Sequence, residues 1–326
     1  MSEEKNTFLK VKDLVVEYTS GGDIIHAVNG VSFELGKGRT LGLVGETGAG
    51  KTTIAKAILS ILPDPPAKVK YGSIVLDGDD ILKMTEKQRL KIRGKKAAMI
   101  FQDPMTALNP TMNVGSQISE VIQIHEKCTK AEADKKAVEM LEMVGIAGRR
   151  AVEYPHQFSG GMKQRVVIAM ALACTPELLL ADEPTTALDV TIQAQVLEMI
   201  NDLKIRLNTS MILITHDLGV VAQCCEDVAI IYAGEIVESG SLEDIFDHYA
   251  HPYTKGLFDS LPSMNDDVKR LSPIPGLPPD PRELPEGCKF APRCSMATAA
   301  CTGSIPNIEL SPGHFCRCCR VGKEAE

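Results

Sequence analysis

Long hydrophobic runs are missing from this sequence. The longest apolar runs are short ones such as Leu178–Ala181, far below the ~20 residues that a membrane-spanning helix needs. The charged and polar start, Met1–Lys5, also lacks the apolar core of a secretory signal. We therefore expect an intracellular protein, for which any role at a membrane depends on a partner.

A surplus of positive charge is missing as well. The chain has 35 Lys and Arg residues against 43 Asp and Glu residues, which gives a net charge of −8. Proteins that bind nucleic acids generally do so by neutralising phosphates with basic side chains. This charge balance therefore argues against a nucleic-acid partner.

The pattern of apolar residues predicts strands that alternate with helices. Strand-like alternation covers Phe8–Tyr18 and Val28–Leu35, on either side of a Gly21–Gly22 turn. Helical periodicity covers Thr52–Leu62, which prolines follow, and returns at about residues 103–175. Further buried strands are predicted at Leu178–Asp182, Met211–Thr215 and Val228–Tyr232. Such alternation is typical of the α/β class, with a mostly parallel sheet covered on both faces.

Composition changes sharply near residue 260. Residues 261–287 are rich in proline and poor in helix formers, which predicts an extended linker or a surface strap. Six of the ten cysteines lie beyond residue 287. We therefore predict a large domain at residues 1–260, a linker at 261–287 and a small cysteine-rich domain at 288–326.

A glycine-rich loop follows the apolar segment Leu41–Val44. Its sequence, Gly-Glu-Thr-Gly-Ala-Gly-Lys-Thr at residues 45–52, fits the phosphate-binding loop pattern throughout. The glycines let backbone N–H groups surround a phosphate, and the next helix presents its positive N-terminal end. Lys51 can bridge the β- and γ-phosphates, and the Thr52 hydroxyl can ligate Mg²⁺. The predicted nucleotide-binding residues here are Gly45, Glu46, Thr47, Gly48, Ala49, Gly50, Lys51, Thr52 and Thr53.

An acidic pair ends the predicted strand at Leu178–Asp182. Asp182 can reach the Mg²⁺ shell, and Glu183 is placed to polarise the attacking water. By itself such a pair is a weak indication, because acidic residues are common at strand ends. It gains weight because its distance from Lys51 fits one folded ATPase domain.

Phe158–Met162 resembles the signature loop of ABC-family ATPases, usually written Leu-Ser-Gly-Gly-Gln. Phe158 and Met162 depart from that pattern, whereas Ser159, Gly160 and Gly161 keep its centre. In the family this loop serves the nucleotide bound to the opposite subunit, so that two domains join head to tail around two ATP molecules. Because serine and backbone N–H groups make the phosphate contact, we expect the loop to remain competent.

Other segments resemble further motifs of this family, in the family's order. Tyr18 resembles the aromatic residue on which adenine stacks, and Gln102 resembles the Q-loop glutamine. Ala187–Asp189 resembles the D-loop, and His216 resembles the switch histidine. The resemblance implies catalytic roles for Lys51, Gln102, Glu183 and His216, and a Mg²⁺ site of Thr52, Gln102 and Asp182. It also implies a P-loop ABC ATPase core with an antiparallel β subdomain and a helical subdomain at about residues 103–175.

Longer matches resemble the oligopeptide/dipeptide/nickel importer group of this family. They are Ala27–Phe33, Gly42–Glu46, Phe101–Pro110, Tyr154–Met162, His251–Thr254, Ile274–Gly276, Leu284–Cys288 and Pro292–Cys294. The resemblance implies an ATP-hydrolysing subunit of a peptide importer at the cytoplasmic face of the cell membrane. Its partners would be two integral-membrane permease subunits, a second ABC ATPase subunit in a heterodimer or a homodimer, and indirectly an extracytoplasmic substrate-binding protein.

Two alternatives remain from the sequence. One is an importer of nickel or another small solute, because the transported cargo does not touch this subunit. The other is a metal-bearing ABC ATPase that acts on DNA, which the negative charge disfavours. The 56 residues between Gln102 and Ser159 leave no room for the long coiled-coil arms of chromosome-maintenance members.

The cysteines of the C-terminal segment indicate a metal site, because a reducing compartment disfavours disulfides. Gaps of five and six residues separate Cys288, Cys294 and Cys301, wider than is typical of zinc ligand pairs. The segment resembles the tail of the peptide-importer group, where four cysteines hold a [4Fe-4S] cluster. The resemblance assigns the fourth position to Cys318, with Cys316 and Cys319 as competitors, and Zn²⁺ as the alternative metal.

Overall fold

The computed structural model describes residues 7–185, 189–260 and 273–321. The charged start Met1–Lys5, the D-loop residues Ala187 and Leu188, and most of the first half of the predicted linker lie outside these ranges. The described strands β1 to β12 are Thr7–Ser20, Asp23–Gly36, Thr40–Val44, Ala67–Leu76, Asp79–Asp80, Ala97–Ile100, Leu178–Asp182, Ser210–Thr215, Asp227–Tyr232, Glu235–Ser241, Ile308–Ser311 and His314–Cys316.

The α-helices are numbered in the same way. Helices α1 to α10 are Lys51–Ile58, Glu86–Ile92, Pro104–Ala107, Val114–His125, Lys130–Met143, Gly160–Leu172, Val190–Leu207, Leu218–Cys224, Leu242–Asp247 and Pro252–Asp259. Among the described residues, none of these helices combines the length and the apolar character needed to cross a membrane.

The chain divides into two compact units. The first comprises Met1–Phe8, Leu35–Thr40 and Asp80–Ile214, and the second comprises Leu9–Glu34, Leu41–Asp79 and Thr215–Glu326.

Three parallel strands form the centre of the first unit. Strand β7 lies between β6 and β8, with Met99 opposite Leu180 and Leu180 opposite Ile212. Every residue of β6 and β7 is buried. Because the carboxyl ends of parallel strands lie at one edge of a sheet, the residues that follow β6 and β7 are brought close together.

Helices α4, α5 and α6 supply the predicted helical part of the first unit. The predicted apolar positions Ala133, Ala137 and Leu141 on α5 are buried, at the spacing of one helix face. The Thr129 side chain accepts a hydrogen bond from the Glu132 N–H and so caps α5, while the Glu132 carboxylate accepts in return from the Thr129 N–H. The prediction of a helical part is confirmed.

An antiparallel sheet forms part of the second unit, as predicted. Its strand order is β2-β1-β4-β5, and β1 pairs antiparallel with β4, with Val11 opposite Ile74. The alternation of apolar residues on β1 buries Leu9, Val11 and Val16.

A second group of strands in this unit includes the C-terminal segment. Strand β3 pairs parallel with β9, β9 pairs antiparallel with β10, and β10 pairs antiparallel with β12, which also pairs with β11. The His314 Nε2 lies 3.0 Å from the buried Glu238 Oε1, and the backbone N–H groups of Ala250 and His251 also donate to Glu238. Strands β11 and β12 of the cysteine-rich segment therefore extend the strands β9 and β10. The predicted separate C-terminal domain is not supported.

Helix α1 ends earlier than its apolar pattern predicts. The sequence suggests a helix to Leu62, whereas α1 ends at Ile58, before the prolines. Ser60 adopts a left-handed conformation with φ 52°, and the Ile61 N–H donates to the Lys56 carbonyl. These two features make a Schellman-type cap, which ends the helix locally.

Candidate nucleotide-binding site

The glycine-rich loop connects the buried strand β3 to the start of α1. A Cβ atom added at Gly45 would lie 2.1 Å from the Ile231 carbonyl oxygen. At Gly50, φ is 99°, and an added Cβ would lie 2.3 Å from the Ala27 carbonyl oxygen. Only glycine fits these two positions, so the backbone path of the loop is sterically fixed.

Lys51 is held across this loop. Its side chain is buried, and its Nζ donates to the carbonyl oxygens of Gly45 at 2.6 Å and Glu46 at 2.9 Å. The Tyr18 hydroxyl lies 3.2 Å from the Thr53 Oγ1, in the first turn of α1. The second unit therefore brings together Tyr18 and the loop residues that the sequence singles out.

Two residues contact Glu46 in the loop that were not predicted as site residues, although both lie in segments that resemble the importer group. The buried Tyr253 hydroxyl accepts a hydrogen bond from the Glu46 N–H at 3.1 Å. The Arg293 Nη1 donates to both carboxylate oxygens of Glu46, at 3.1 and 2.9 Å. Burial raises the pKa of the Tyr253 hydroxyl, so it stays protonated near neutral pH.

Three predicted site residues lie at the ends of the neighbouring strands β6 and β7 in the first unit: Gln102, Asp182 and Glu183. Asp182 ends β7 and is buried, while the Gln102 Nε2 donates to the Glu183 Oε2 at 2.8 Å. Glu183 has φ 45°, a left-handed conformation that is rare for a residue with a side chain. Its N–H donates to the Ile214 carbonyl oxygen at 2.9 Å, which holds this backbone in place. Unusual backbone of this kind is typical of functional sites.

The signature loop lies at the start of α6 in the first unit. Ser159 is the N-cap of this helix, and its Oγ accepts a hydrogen bond from the Met162 N–H at 3.4 Å. Nothing lies within 4 Å of a Cβ atom added at Gly160. Ser159, Gly160 and the first turn therefore present backbone N–H groups at an exposed helix N-terminus.

Arg150 contacts both residues that depart from the signature pattern, Phe158 and Met162. Its guanidinium lies 4.4 Å from the centre of the Phe158 ring, and its Nη1 lies 3.3 Å from the Met162 sulfur. Phe158 is buried, so it contributes to the core beneath the loop. The two substitutions leave the Ser-Gly-Gly backbone intact.

His216 comes directly after β8 and belongs to the second unit, where its side chain is exposed. The next residue, Asp217, caps α8 by accepting from the N–H groups of Gly219 and Val220. The predicted site residues thus fall in both units: Tyr18, residues 45–53 and His216 in the second, and Gln102, residues 159–161 and residues 182–183 in the first.

The C-terminal cysteines surround a cavity in the second unit. This small space, which is partly open to solvent, is lined by five of them, namely Cys288, Cys294, Cys301, Cys318 and Cys319. The thiols of Cys301 and Cys319 lie 3.4 Å apart. Cys316 does not line this cavity, because it is fully buried on β12 opposite Glu238.

The surroundings of these thiols differ. Burial raises the pKa of the Cys288 thiol and of the Cys294 thiol. The Thr298 N–H, which donates to the Cys301 sulfur at 3.5 Å, lowers the pKa of the Cys301 thiol. Within the described ranges, no three His, Cys, Asp or Glu side chains are placed to hold one metal ion. The predicted iron–sulfur cluster and its zinc alternative are therefore not supported by a formed metal site.

Two family models match the sequence. Residues 28–186 match the model described as ABC transporter, and residues 237–301 match the C-terminal region of oligopeptide/dipeptide transporters. One similar solved structure is the dimeric post-hydrolysis state of the ATP-binding cassette MJ0796 bound to ADP and Pi. It is 28% identical, with a TM-score of 0.65 over 72% of this chain and 98% of that one.

Curated relatives match along nearly the whole chain. The oligopeptide transport ATP-binding protein OppD of Bacillus subtilis (strain 168) is 53% identical over 89% of this chain and 82% of its own length. The dipeptide transport ATP-binding protein DppD of the same organism is 48% identical over 98% and 96%. OppD of Escherichia coli (strain K12) is 45% identical over 99% and 96%. This chain belongs to the ABC transporter family, in the group of oligopeptide and dipeptide transport ATP-binding proteins.

Proposed function

We propose that this chain binds and hydrolyses ATP to energise the import of dipeptides or oligopeptides. The observation that carries the proposal is the phosphate loop, whose backbone is fixed by Gly45 and Gly50 and whose Lys51 lies across it. The peptide cargo follows from the relatives, whose names specify oligopeptide and dipeptide transport. These names favour peptides over nickel and favour transport over an activity on DNA.

In this proposal, Lys51 exchanges its two carbonyl partners for phosphate oxygens when ATP binds. Its ammonium group then balances charge on the β- and γ-phosphates, while the N-terminal end of α1 faces the same anion. Tyr18 stacks on the adenine ring.

Glu183 acts in this proposal on the attacking water, and His216 donates a hydrogen bond to the γ-phosphate. The hydrogen bond from Gln102 supports the role of Glu183, because it fixes the carboxylate at the end of β7. A carboxylate in this position polarises water as a general base.

Mg²⁺ suits the oxygen donors that the family resemblance assigns to it. The Thr52 hydroxyl, the Asp182 carboxylate and the Gln102 carbonyl oxygen are hard ligands of the kind that Mg²⁺ prefers. When bound, the ion neutralises charge on the phosphates. Gln102 uses its amide nitrogen for Glu183, so its oxygen is the atom that would serve the metal.

The signature loop also bears on how this chain pairs with a second ATPase subunit. We propose that Ser159, Gly160 and Gly161 serve ATP bound to a second ATPase subunit, in a heterodimer with a related chain. Two permeases then attach this pair to the cytoplasmic face of the membrane, and a substrate-binding protein delivers the peptide to the permeases. The relatives support this assembly because they are named as ATP-binding proteins of oligopeptide and dipeptide transport.

We also propose that Cys288, Cys294, Cys301 and Cys318 hold a [4Fe-4S] cluster, with Cys319 as an alternative fourth ligand. The shared cavity of these cysteines supports the cluster, and thiolates are the ligands that iron–sulfur clusters use. When bound, the cluster would stabilise the short irregular segments that carry the cysteines. Cys316 is not a ligand in this proposal, because it lies on β12 outside the cavity.

ATP binding by the assembled complex tests the proposed role of Lys51. In a complex of this chain with its partner ATPase and permeases, Lys51→Ala should weaken ATP binding about tenfold or more, because charge-assisted hydrogen bonds are lost. Lys37→Ala is the matched control, since Lys37 pairs with Glu177 on the surface. Wild-type affinity in the Lys51 variant, measured by equilibrium titration with ATP, would contradict the proposal.

A further inference from the structure

Glu46 presents a difficulty for the proposed function, on which this inference rests. It is the second residue of a loop that must bind the polyphosphate of ATP, yet its carboxylate is negative and only 27% exposed. A partly buried negative charge repels a nearby phosphate chain much more strongly than a solvated one does. The loop therefore needs a fixed positive partner for this carboxylate.

Arg293 provides that partner from the C-terminal segment. Its side chain is 6% exposed, and its Nη1 donates to both Glu46 oxygens. The same nitrogen lies 3.2 Å from the Tyr232 hydroxyl, and the Nε donates to the Pro275 carbonyl oxygen at 3.0 Å. Burial opposes the charge of Arg293, but the hydrogen bonds with Glu46 and Tyr232 outweigh it and raise the pKa of Arg293.

Glu46 is thus anchored at three points. Tyr253 holds its N–H, Lys51 holds its carbonyl oxygen and Arg293 holds its carboxylate. The Lys51 contact belongs to the loop itself, whereas Tyr253 and Arg293 come from far along the chain. Because the Tyr253 and Arg293 contacts need not be exchanged when ATP binds, the loop needs less ordering at that step, which favours affinity.

We propose that Arg293 is a positioning residue for ATP binding: it neutralises Glu46 and holds the phosphate loop in its binding shape. Arg293 precedes Cys294 directly, in the short 3₁₀ helix Ala291–Arg293. The C-terminal cysteine segment therefore contacts the phosphate loop through the Arg293 side chain. Arg293 touches the loop and not the reacting atoms, so its effect belongs to ATP affinity and not to the rate of the chemical step.

Each substitution should change ATP affinity in a direction that follows from the charges it removes. Arg293→Gln leaves the Glu46 carboxylate uncompensated, so ATP affinity should fall roughly tenfold, within the usual range of couplings between contacting residues. Glu46→Gln removes the negative charge and keeps the backbone N–H groups of the loop, so ATP affinity should fall less than it does in Arg293→Gln. The double variant should regain most of the affinity that Arg293→Gln loses, because no unpaired carboxylate remains.

Equilibrium titration of the full-length chain with ATP and Mg²⁺ tests this inference. The set comprises wild type, Arg293→Gln, Arg293→Lys, Glu46→Gln and the double variant, each checked for a wild-type thermal unfolding profile. Arg282→Gln is the matched control, because Arg282 lies nearby in the chain, in the predicted linker, but pairs with Asp280 and Asp23 at the surface. Arg282→Gln should keep wild-type affinity, and Arg293→Lys should keep part of it.

Recovery of affinity in the double variant supports the inference, because a general loss of structure at Arg293 would not be repaired by changing Glu46. Wild-type affinity in Arg293→Gln, or a double variant as weak as Arg293→Gln, overturns it. If Arg293→Gln does not fold, Glu46→Gln still tests the inference. A tenfold loss of ATP affinity in that variant would contradict the claim that the Glu46 charge opposes ATP binding. Failure of the wild-type chain to bind ATP would instead contradict the proposed function.

Discussion

At the scale of single residues, Glu183 combines a predicted catalytic role with a left-handed backbone conformation. Its left-handed backbone costs free energy, of the order of 1–3 kcal/mol for such a conformation. The surrounding hydrogen bonds from Gln102 and to Ile214 maintain it. A conformation that is kept at such a cost is consistent with a carboxylate aimed at one atom.

Glu183→Gln should therefore retain ATP binding and lose hydrolysis by roughly 10²–10⁴-fold, the usual contribution of a positioned base. Phosphate release by the purified complex measures this change. Glu177→Gln is the matched control, because Glu177 precedes the same strand but pairs with Lys37 on the surface. Near-normal turnover in the Glu183 variant would refute its role.

Residues that act within one loop were predictable from the sequence, whereas residues that act from a distance were not. The loop at 45–52 could be read because its glycines, Lys51 and the following helix are contiguous. Arg293 and Glu46 are 247 positions apart, and no pattern tells which of the 35 basic residues faces the loop. The acidic residue inside an anion-binding loop was the one available signal, because it requires a cation.

At the scale of elements, the C-terminal segment is where prediction and structure differ. Strand β12 has only three residues, too few for a period-two pattern, so its pairing with β10 could not be predicted. The buried contact between His314 and Glu238 fixes that pairing. A separate C-terminal domain would leave ATP binding independent of the cysteines, but the contact of Arg293 with Glu46 does not support such a separation.

The cysteine cavity allows a direct prediction at this scale. If the proposed cluster forms, protein purified without oxygen should be brown, with about four irons per chain, because a [4Fe-4S] cluster held by thiolates contains four irons. Cys294→Ser should lose the colour and weaken ATP binding to the extent that Arg293 is displaced. Cys128→Ser is the control, since Cys128 belongs to the first unit.

Iron analysis and absorbance near 400 nm measure this outcome, because sulfur-to-iron charge transfer absorbs in that region. Stoichiometric zinc without iron would show that the cysteines hold zinc and would contradict the cluster. Freely reactive thiols with no metal would rule out both metals.

At the scale of the whole molecule, function depends on partners. The signature loop is exposed at the N-terminus of α6, where it can meet a nucleotide held by another subunit. The isolated chain should consequently be a weak ATPase, and its full activity should require the second ATPase and the permeases. Relatives that match 96% or more of this chain are named as ATP-binding proteins of peptide transport, which directs the test to peptide uptake.

Peptide uptake into proteoliposomes tests the central claim most directly. The vesicles contain the permeases, this chain and its partner ATPase, with ATP on the side of the ATPases and a labelled peptide with its binding protein on the other. We predict uptake that requires ATP and falls to background when Glu183→Gln replaces the wild-type chain, while Glu177→Gln supports normal uptake. Uptake at the wild-type rate with Glu183→Gln, or ATP hydrolysis by the complete wild-type complex without any peptide uptake, would contradict the account.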